Sequence, residues 1–213
     1  PEQTPRPGQV RDINSYSLAA MVEDHGGVGC VYGIVPDQPD ALETLLRQAL
    51  TENDLVIITA GSSASARDFT ARVIGRMGKP GVLVHGVSTK PGKPTILAVC
   101  DGKPVIGLPG NPVSALSIAR LFVVPVLRHL QGLNPMPPQA VVRAVLTSNI
   151  ASQAGREDYV PVKLLTAKKG YLAEPIFFKS NLIFTLAQAD GLIGIPADAT
   201  GVTAGEEVDI ILF

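Results

Sequence analysis

The chain has no tryptophan, only two cysteines, and aromatic side chains at 5% of its 213 residues. Each shortage excludes something. Few aromatics leave little for the stacking platforms on which single-stranded nucleic acids lie. The 18 Lys and Arg nearly cancel the 19 Asp and Glu, and a net charge of −1 gathers no polyanion. Cys30 and Cys100 stand far apart, each inside an apolar run, which predicts two buried thiols rather than a disulfide or a metal pair. His25, His85 and His129 show no metal-ligand spacing. No stretch reads as long and apolar enough to span a membrane, and no signal peptide opens the chain. The expected compartment is therefore the cytoplasm, with neither membrane nor nucleic acid as partner. The opening Pro1-Glu2-Gln3-Thr4-Pro5-Arg6-Pro7 lacks an initiator methionine and reads as a linker or a cut end, which predicts a fragment of something longer.

What is present suffices for a packed protein. Hydrophobic residues reach 46% against 17% charged, which argues against disorder, and the length suits one large domain or two modest ones. Up to about residue 132, apolar runs of strand character alternate with stretches of helical spacing. Helices are predicted over Asp12–Gly26 and from Pro39, where Leu42, Leu45, Leu46 and Ala49 make an apolar stripe. Strands are predicted over Val28–Val35, Leu55–Ile58, Gly81–Val87, Thr95–Cys100 and Lys103–Leu108, the last two flanking an Asp101-Gly102 hairpin signal. A long apolar helix follows over Val113–Leu130. Such alternation predicts an α/β domain with a mostly parallel sheet covered on both faces. After the linker Leu133–Pro138, short strands dominate (Ala140–Thr147, Asp158–Thr166, Gly170–Pro175, Leu192–Ile195, Glu207–Leu212), with one helix over Ser180–Ala189. The division is thus residues 1–136, α/β, and residues 137–213, a small mainly-β C-terminal domain.

Three segments carry chemistry. Thr59 to Asp68 joins a buried strand to a helix, where small residues (Gly61, Ser62, Ser63, Ser65) let an anion approach free N–H groups; an ordinary capped turn is the plain alternative. Lys90-Pro91-Gly92-Lys93-Pro94 is a stiff turn with two lysines, either a solvated bend or a cationic clamp for an oxyanion. Pro109-Gly110-Asn111-Pro112-Val113-Ser114 is a second strand–loop–helix junction with small polar residues at the helix start.

Together these segments resemble the molybdopterin molybdenumtransferases, the MoeA and gephyrin E-domain family. Lys90 to Pro94 and Leu108 to Ser114 match that family's Lys-Pro-Gly-Lys-Pro and Leu-Pro-Gly-Asn-Pro-Val-Ser at every position. Ala60 to Phe69 sits in the register of its Gly-Gly-Val-Ser-x-Gly-Glu-x-Asp-Tyr/Phe motif, with Ala60, Ser62, Ser65 and Ala66 as departures and Asp68 retained. Gly8 to Asn14 resembles the start of the family's central domain, and Gly155-Arg156 with Ala189 to Ile193 its β domain. The resemblance covers nearly the whole chain, without the two further domains with which members usually begin.

The resemblance implies a three-layer, MogA-like molybdopterin-binding domain followed by the β domain. It implies molybdenum cofactor biosynthesis: molybdate is inserted into adenylylated molybdopterin, AMP is released, and magnesium is the metal. It implies pterin binding by Gly61, Ser62, Ser63, Ser65, Gly110, Asn111, Pro112 and Ser114, and molybdate binding by Lys90, Lys93, Pro94, Arg156 and Ser180. Asp68 is implied as the catalytic and metal-binding acid. It also implies a homodimer, with a molybdopterin adenylyltransferase as a further partner. Plainer roles stand beside these: a helix cap for Asp68, first-turn capping for Ser114, and a surface salt bridge from Arg156 to Glu157 or Asp158. A binding or scaffold module without turnover, and a molybdopterin adenylyltransferase-like enzyme on the same fold, are the competing functions.

Overall fold

The computed structural model describes residues 4–60, 64–133, 139–177 and 183–213, with the backbone alone at 60, 64–68 and 185. The chain divides into two compact units, Pro1–Gly86 with Pro94–Met136, and Val87–Lys93 with Pro137–Phe213. The segment 87–93, placed in the α/β half by the reading of the sequence, belongs to the second unit. The expected linker falls largely on 134–138, outside the described residues.

The first unit begins with helices α1 (Asn14–Asp24) and α2 (Pro39–Glu52). Pro39 suits the first turn of α2, where its missing N–H is not needed, and Leu42, Leu46 and Ala49 are buried along one stripe. Strand β1 (Val56–Ala60), helix α3 (Ala64–Ile74) and strand β2 (Pro80–His85) follow. Strand β3 (Thr89–Lys90) lies in the other unit. Strands β4 (Ile96–Cys100) and β5 (Lys103–Pro109) then lead into one continuous helix, Pro112–Leu130. That helix is α4 (Pro112–Ile118), a wide turn of π geometry (Ala119–Val123), and α5 (Val124–Leu130).

The sheet runs β1-β5-β4-β2, and its side chains alternate between two cores as the pleat requires. Val56, Ile96, Ala98 and Val105 pack with Leu46 of α2 and Ile74 of α3. Ile57, Leu97, Ile106 and Leu108 pack with Leu18 of α1 and Ile118 of α4. Helices therefore cover both faces, in three layers.

Four expectations need correction here. The sheet is mixed rather than mostly parallel: β1–β5 is parallel, whereas β4–β5 and β2–β4 are antiparallel. The cause is short connections. Asp101 (φ 49°) and Gly102 (φ 85°) turn β4 into β5 as a two-residue hairpin, and no helix separates β2 from β4. Second, the strand expected over Val28–Val35 does not form. The residues there join no strand pair, with Val28, Val31 and Ile34 exposed. Gly33 (φ 82°) breaks the run, and Gly29 lies so close to Ala19 that a Cβ would sit 2.9 Å from that side chain. Tyr32 holds this stretch instead: its hydroxyl donates to Glu52 Oε2 at 2.5 Å and accepts from Asn53 Nδ2 at 2.6 Å. Third, Cys30 on this stretch is exposed. Only Cys100 is buried, with its thiol pKa raised chiefly by that burial. Fourth, the 19-residue helix Pro112–Leu130 is long and apolar enough to cross a membrane by length and composition, contrary to the reading of the sequence; its apolar content goes into the core beneath the sheet.

The second unit contains β6 (Val141–Leu146), β7 (Ile150–Ala151), β8 (Glu157–Thr166), β9 (Tyr171–Pro175), the single turn α6 (Phe184–Ala187), β10 (Gly191–Ile195), β11 (Gly201–Val202) and β12 (Glu207–Leu212). The order β10-β12-β6-β9-β8 closes because β10 also pairs with β8, giving a five-stranded barrel. Ala144, Leu146, Val162, Ala173, Ile193 and Ile210 fill it. The two-residue strands β3, β7 and β11 have no counterpart in the sequence reading, because a pair of residues carries no periodicity.

Half-buried Tyr159 on β8 donates its hydroxyl to Glu157 Oε2 at 2.9 Å. Burial first, and then Glu157, push its pKa up to about 12 from the ordinary 10.0. The folded state thus keeps a proton that the unfolded state releases, so this stabilising contribution is complete below pH 10 and is lost as pH rises toward 12. Spectrophotometric titration should show one tyrosine ionising near the upper value, absent in Tyr159→Phe, and the variant should lose stability less steeply over that range.

Candidate functional site

Strands β1 and β5 run parallel in register up to Ala60↔Pro109. The chain therefore leaves both strands side by side at their carboxyl ends, where open α/β sheets hold their ligands. Two of the loops singled out from the sequence start at this point, one after Ala60 and the other after Pro109. The second loop is described throughout. Gly110 offers its carbonyl to Asn14 Nδ2 at 2.9 Å, Asn111 is extended and its carbonyl accepts the Ala115 N–H at 2.9 Å, and Pro112 opens α4. Ser114 is buried in the first turn. Asn14, itself 7% exposed, ties this loop to α1, a role its place at a helix start did not disclose. Its Oδ1 finds no hydrogen-bond partner among the described residues.

In the first loop, Gly61, Ser62 and Ser63 lie outside the described residues, as do the side chains of Ser65 and Asp68. The backbone settles one point. Helix α3 already starts at Ala64, so Asp68 sits a full turn inside it and is not its N-cap.

The second unit carries the cations. β3 pairs in parallel with the start of β8, Thr89 opposite Glu157 and Lys90 opposite Asp158, and the Glu157 N–H donates to the Ser88 carbonyl at 2.9 Å. Lys90 Nζ thereby comes within 3.7 Å of Asp158 Oδ2. Arg156, two residues before Asp158, puts Nε at 2.8 Å from Oδ1 and Nη2 at 3.5 Å from Oδ2. The Asp158 side chain is 3% exposed, against 59% for Lys90 and 33% for Arg156. A surface salt bridge from Arg156 was the plain expectation; the pair exists, but its acid is buried and shared with Lys90. The sequence reading named Asp158 only as a surface partner of Arg156, since nothing local marks a carboxylate as buried or as shared with Lys90. Lys93 is exposed on the turn, with its carbonyl accepting the Val87 N–H at 3.0 Å. Pro94 resumes the first unit, and Ser180 lies outside the described residues.

No group of three His, Cys, Asp or Glu side chains gathers among the described residues.

Residues 3–129 match the family described as "Probable molybdopterin binding domain", and the chain belongs to that family. Residues 143–213 match "MoeA C-terminal region (domain IV)". Among solved structures, the chain is similar to a molybdopterin biosynthesis MoeA protein from Pyrococcus horikosii, with a TM-score of 0.84 and 37% identity over 100% of this chain and 50% of that one. Among sequences, it is 30% identical to a molybdopterin molybdenumtransferase of Nostoc sp. over 99% of this chain and 49% of the relative. It is likewise 30% identical to one of Staphylococcus aureus, over 96% and 49%. The chain spans about half the length of the relatives it matches.

Proposed function

We propose that this chain is the portion of a molybdopterin molybdenumtransferase that holds adenylylated molybdopterin and molybdate while the adenylate is cleaved, AMP leaves and molybdenum passes to the dithiolene. The observation that carries the reading is the meeting of Lys90 and Arg156, far apart in sequence, over one buried carboxylate. Residues 1–86 with 94–136 supply the pterin-binding domain, and 137–213 with 87–93 the β domain. The paired carboxyl ends of β1 and β5 support pterin binding by Gly61, Ser62, Ser63, Ser65, Gly110, Asn111, Pro112 and Ser114. The N–H groups and positive dipole end of the following helices suit a pyrophosphate. Lys90, Lys93, Pro94, Arg156 and Ser180 hold molybdate, a dianion suited to charge-assisted donors. Asp68 is the acid of the adenylate-cleaving step. A homodimer, a molybdopterin adenylyltransferase partner, a cytoplasmic location and magnesium dependence belong to the same proposal.

The test compares molybdate binding and AMP release. Lys93→Ala should weaken molybdate binding on the order of tenfold or more, the worth of one charge-assisted contact. Lys103 is unsuitable as a control, because its ammonium donates to the Leu50 carbonyl at 2.5 Å near the end of α2. Lys169→Ala, on the exposed turn before β9, is the better control and should change nothing. Equal dissociation constants for the two variants would remove the turn from the site. Binding of both substrates without AMP release would assign a binding module instead.

A further inference from the structure

Lys90 and Arg156 are the proposed molybdate ligands, and Asp158 is the acid they share. A carboxylate this buried is costly unless it is paired and hydrogen-bonded. Both its oxygens are engaged, Oδ1 by Arg156 Nε at 2.8 Å, and Oδ2 by Arg156 Nη2 at 3.5 Å and Lys90 Nζ at 3.7 Å. The backbone imposes this arrangement. Arg156 and Asp158 are two residues apart at the start of β8, and the parallel β3 pairing sets Lys90 opposite Asp158. On its other edge β8 pairs with β10, Ile195 opposite Asp158, so the carboxylate is anchored in the closed part of the barrel. The two cations remain partly exposed while their common acid does not. A fixed acid below two accessible cations sets their positions before any ligand arrives.

Within the ion-paired group, Lys90 and Arg156 contribute two positive charges and Asp158 one negative, so the group stays net positive. With both oxygens of Asp158 taken by cations, the acid does not compete for the ligand by repulsion at close range.

We propose that Asp158 is the positioning residue of the oxyanion site, acting on the ligand through Arg156, which makes the two shorter contacts to it, without touching the ligand itself. This rests on the oxyanion reading given above. The alternative is an acid that only stabilises the barrel, and the two differ in how substitutions combine. A residue that works through Arg156 loses its effect once Arg156 is gone, whereas a purely structural acid adds its own effect in either background.

The experiment titrates sodium molybdate calorimetrically into the wild-type protein, Arg156→Gln, Asp158→Asn and the double variant, with Lys169→Ala as control and the melting temperature of each recorded without molybdate. The expected result is that Arg156→Gln and Asp158→Asn each weaken binding on the order of tenfold. The double variant should then bind within about threefold of Arg156→Gln alone. Equal effects of Asp158→Asn in both backgrounds, or none in either, overturn the positioning role while leaving the oxyanion site intact. Unchanged binding in both Arg156→Gln and Lys93→Ala overturns the site itself, and the role with it. If Asp158→Asn fails to fold, the same cycle is run with Asp158→Glu, which keeps the charge and displaces the carboxylate by one methylene. That variant should weaken binding only where Arg156 is present, and an unchanged affinity with Arg156 present overturns the proposal.

Discussion

Asp68→Asn is expected to lower AMP release from adenylylated molybdopterin by about a hundredfold or more, the scale on which a positioned acid or base contributes to catalysis. Asp68 is the acid left in the loop 59–68, since Ala66 stands where the resembling family has its other. The plain alternative was a helix cap. Helix α3 spans Ala64–Ile74, which puts Asp68 past the first residues of the helix and removes that alternative. Aspartate and asparagine have similar, poor helix propensities, differing by only about a few tenths of a kcal/mol. The substitution should therefore leave the melting temperature and molybdate affinity close to wild type while turnover falls by that factor. Near-normal turnover would take Asp68 out of the chemistry, and reduced stability would return it to a structural role.

The second large effect concerns the closure of the barrel. Gly191 starts β10, paired with Val162 of β8 on one side and Leu212 of β12 on the other. A Cβ there would run into the Ile211 carbonyl oxygen and sit 2.7 Å from Ile210 Cγ2. The carbonyl belongs to a paired strand and has no room to yield. Gly191→Ala is expected to cost about 2–3 kcal/mol, in the range of overpacked cores. Gly194, on the same strand, is the internal control. A Cβ there meets Tyr159 at 3.6 Å, an ordinary contact, and Gly194→Ala should stay within about 0.5 kcal/mol of wild type, as substitutions without a destabilising mechanism usually do. Urea denaturation of the three proteins checks this, and equal midpoints for the two variants would show that β10 does not close the ring tightly.

Several features were legible from residues alone because short-range physics decides them. The stripe of Leu42, Leu46 and Ala49 sets α2, and Pro39 sets its start. Asp101-Gly102 makes its hairpin because both central residues of that turn need positive φ. The lysines of 90–94 and Arg156 could be named from motif and charge. The rest depended on partners distant in sequence. The sense of each strand pair follows from which strands become neighbours, so the mixed sheet was read as mostly parallel. Val28 to Val35 has the composition of a strand, but a strand exists only where another backbone takes its hydrogen bonds. Thr89 and Lys90 became an edge of the barrel through pairing with Glu157 and Asp158, an encounter that two residues cannot announce. The burial of Asp158 depends on the closure of β10 onto β8. The sequence by itself determined the local elements and the charges available to the site. The tertiary structure decided which strands pair and which carboxylate lies beneath those charges, because pairing and burial are properties of contacts between segments that no single segment contains.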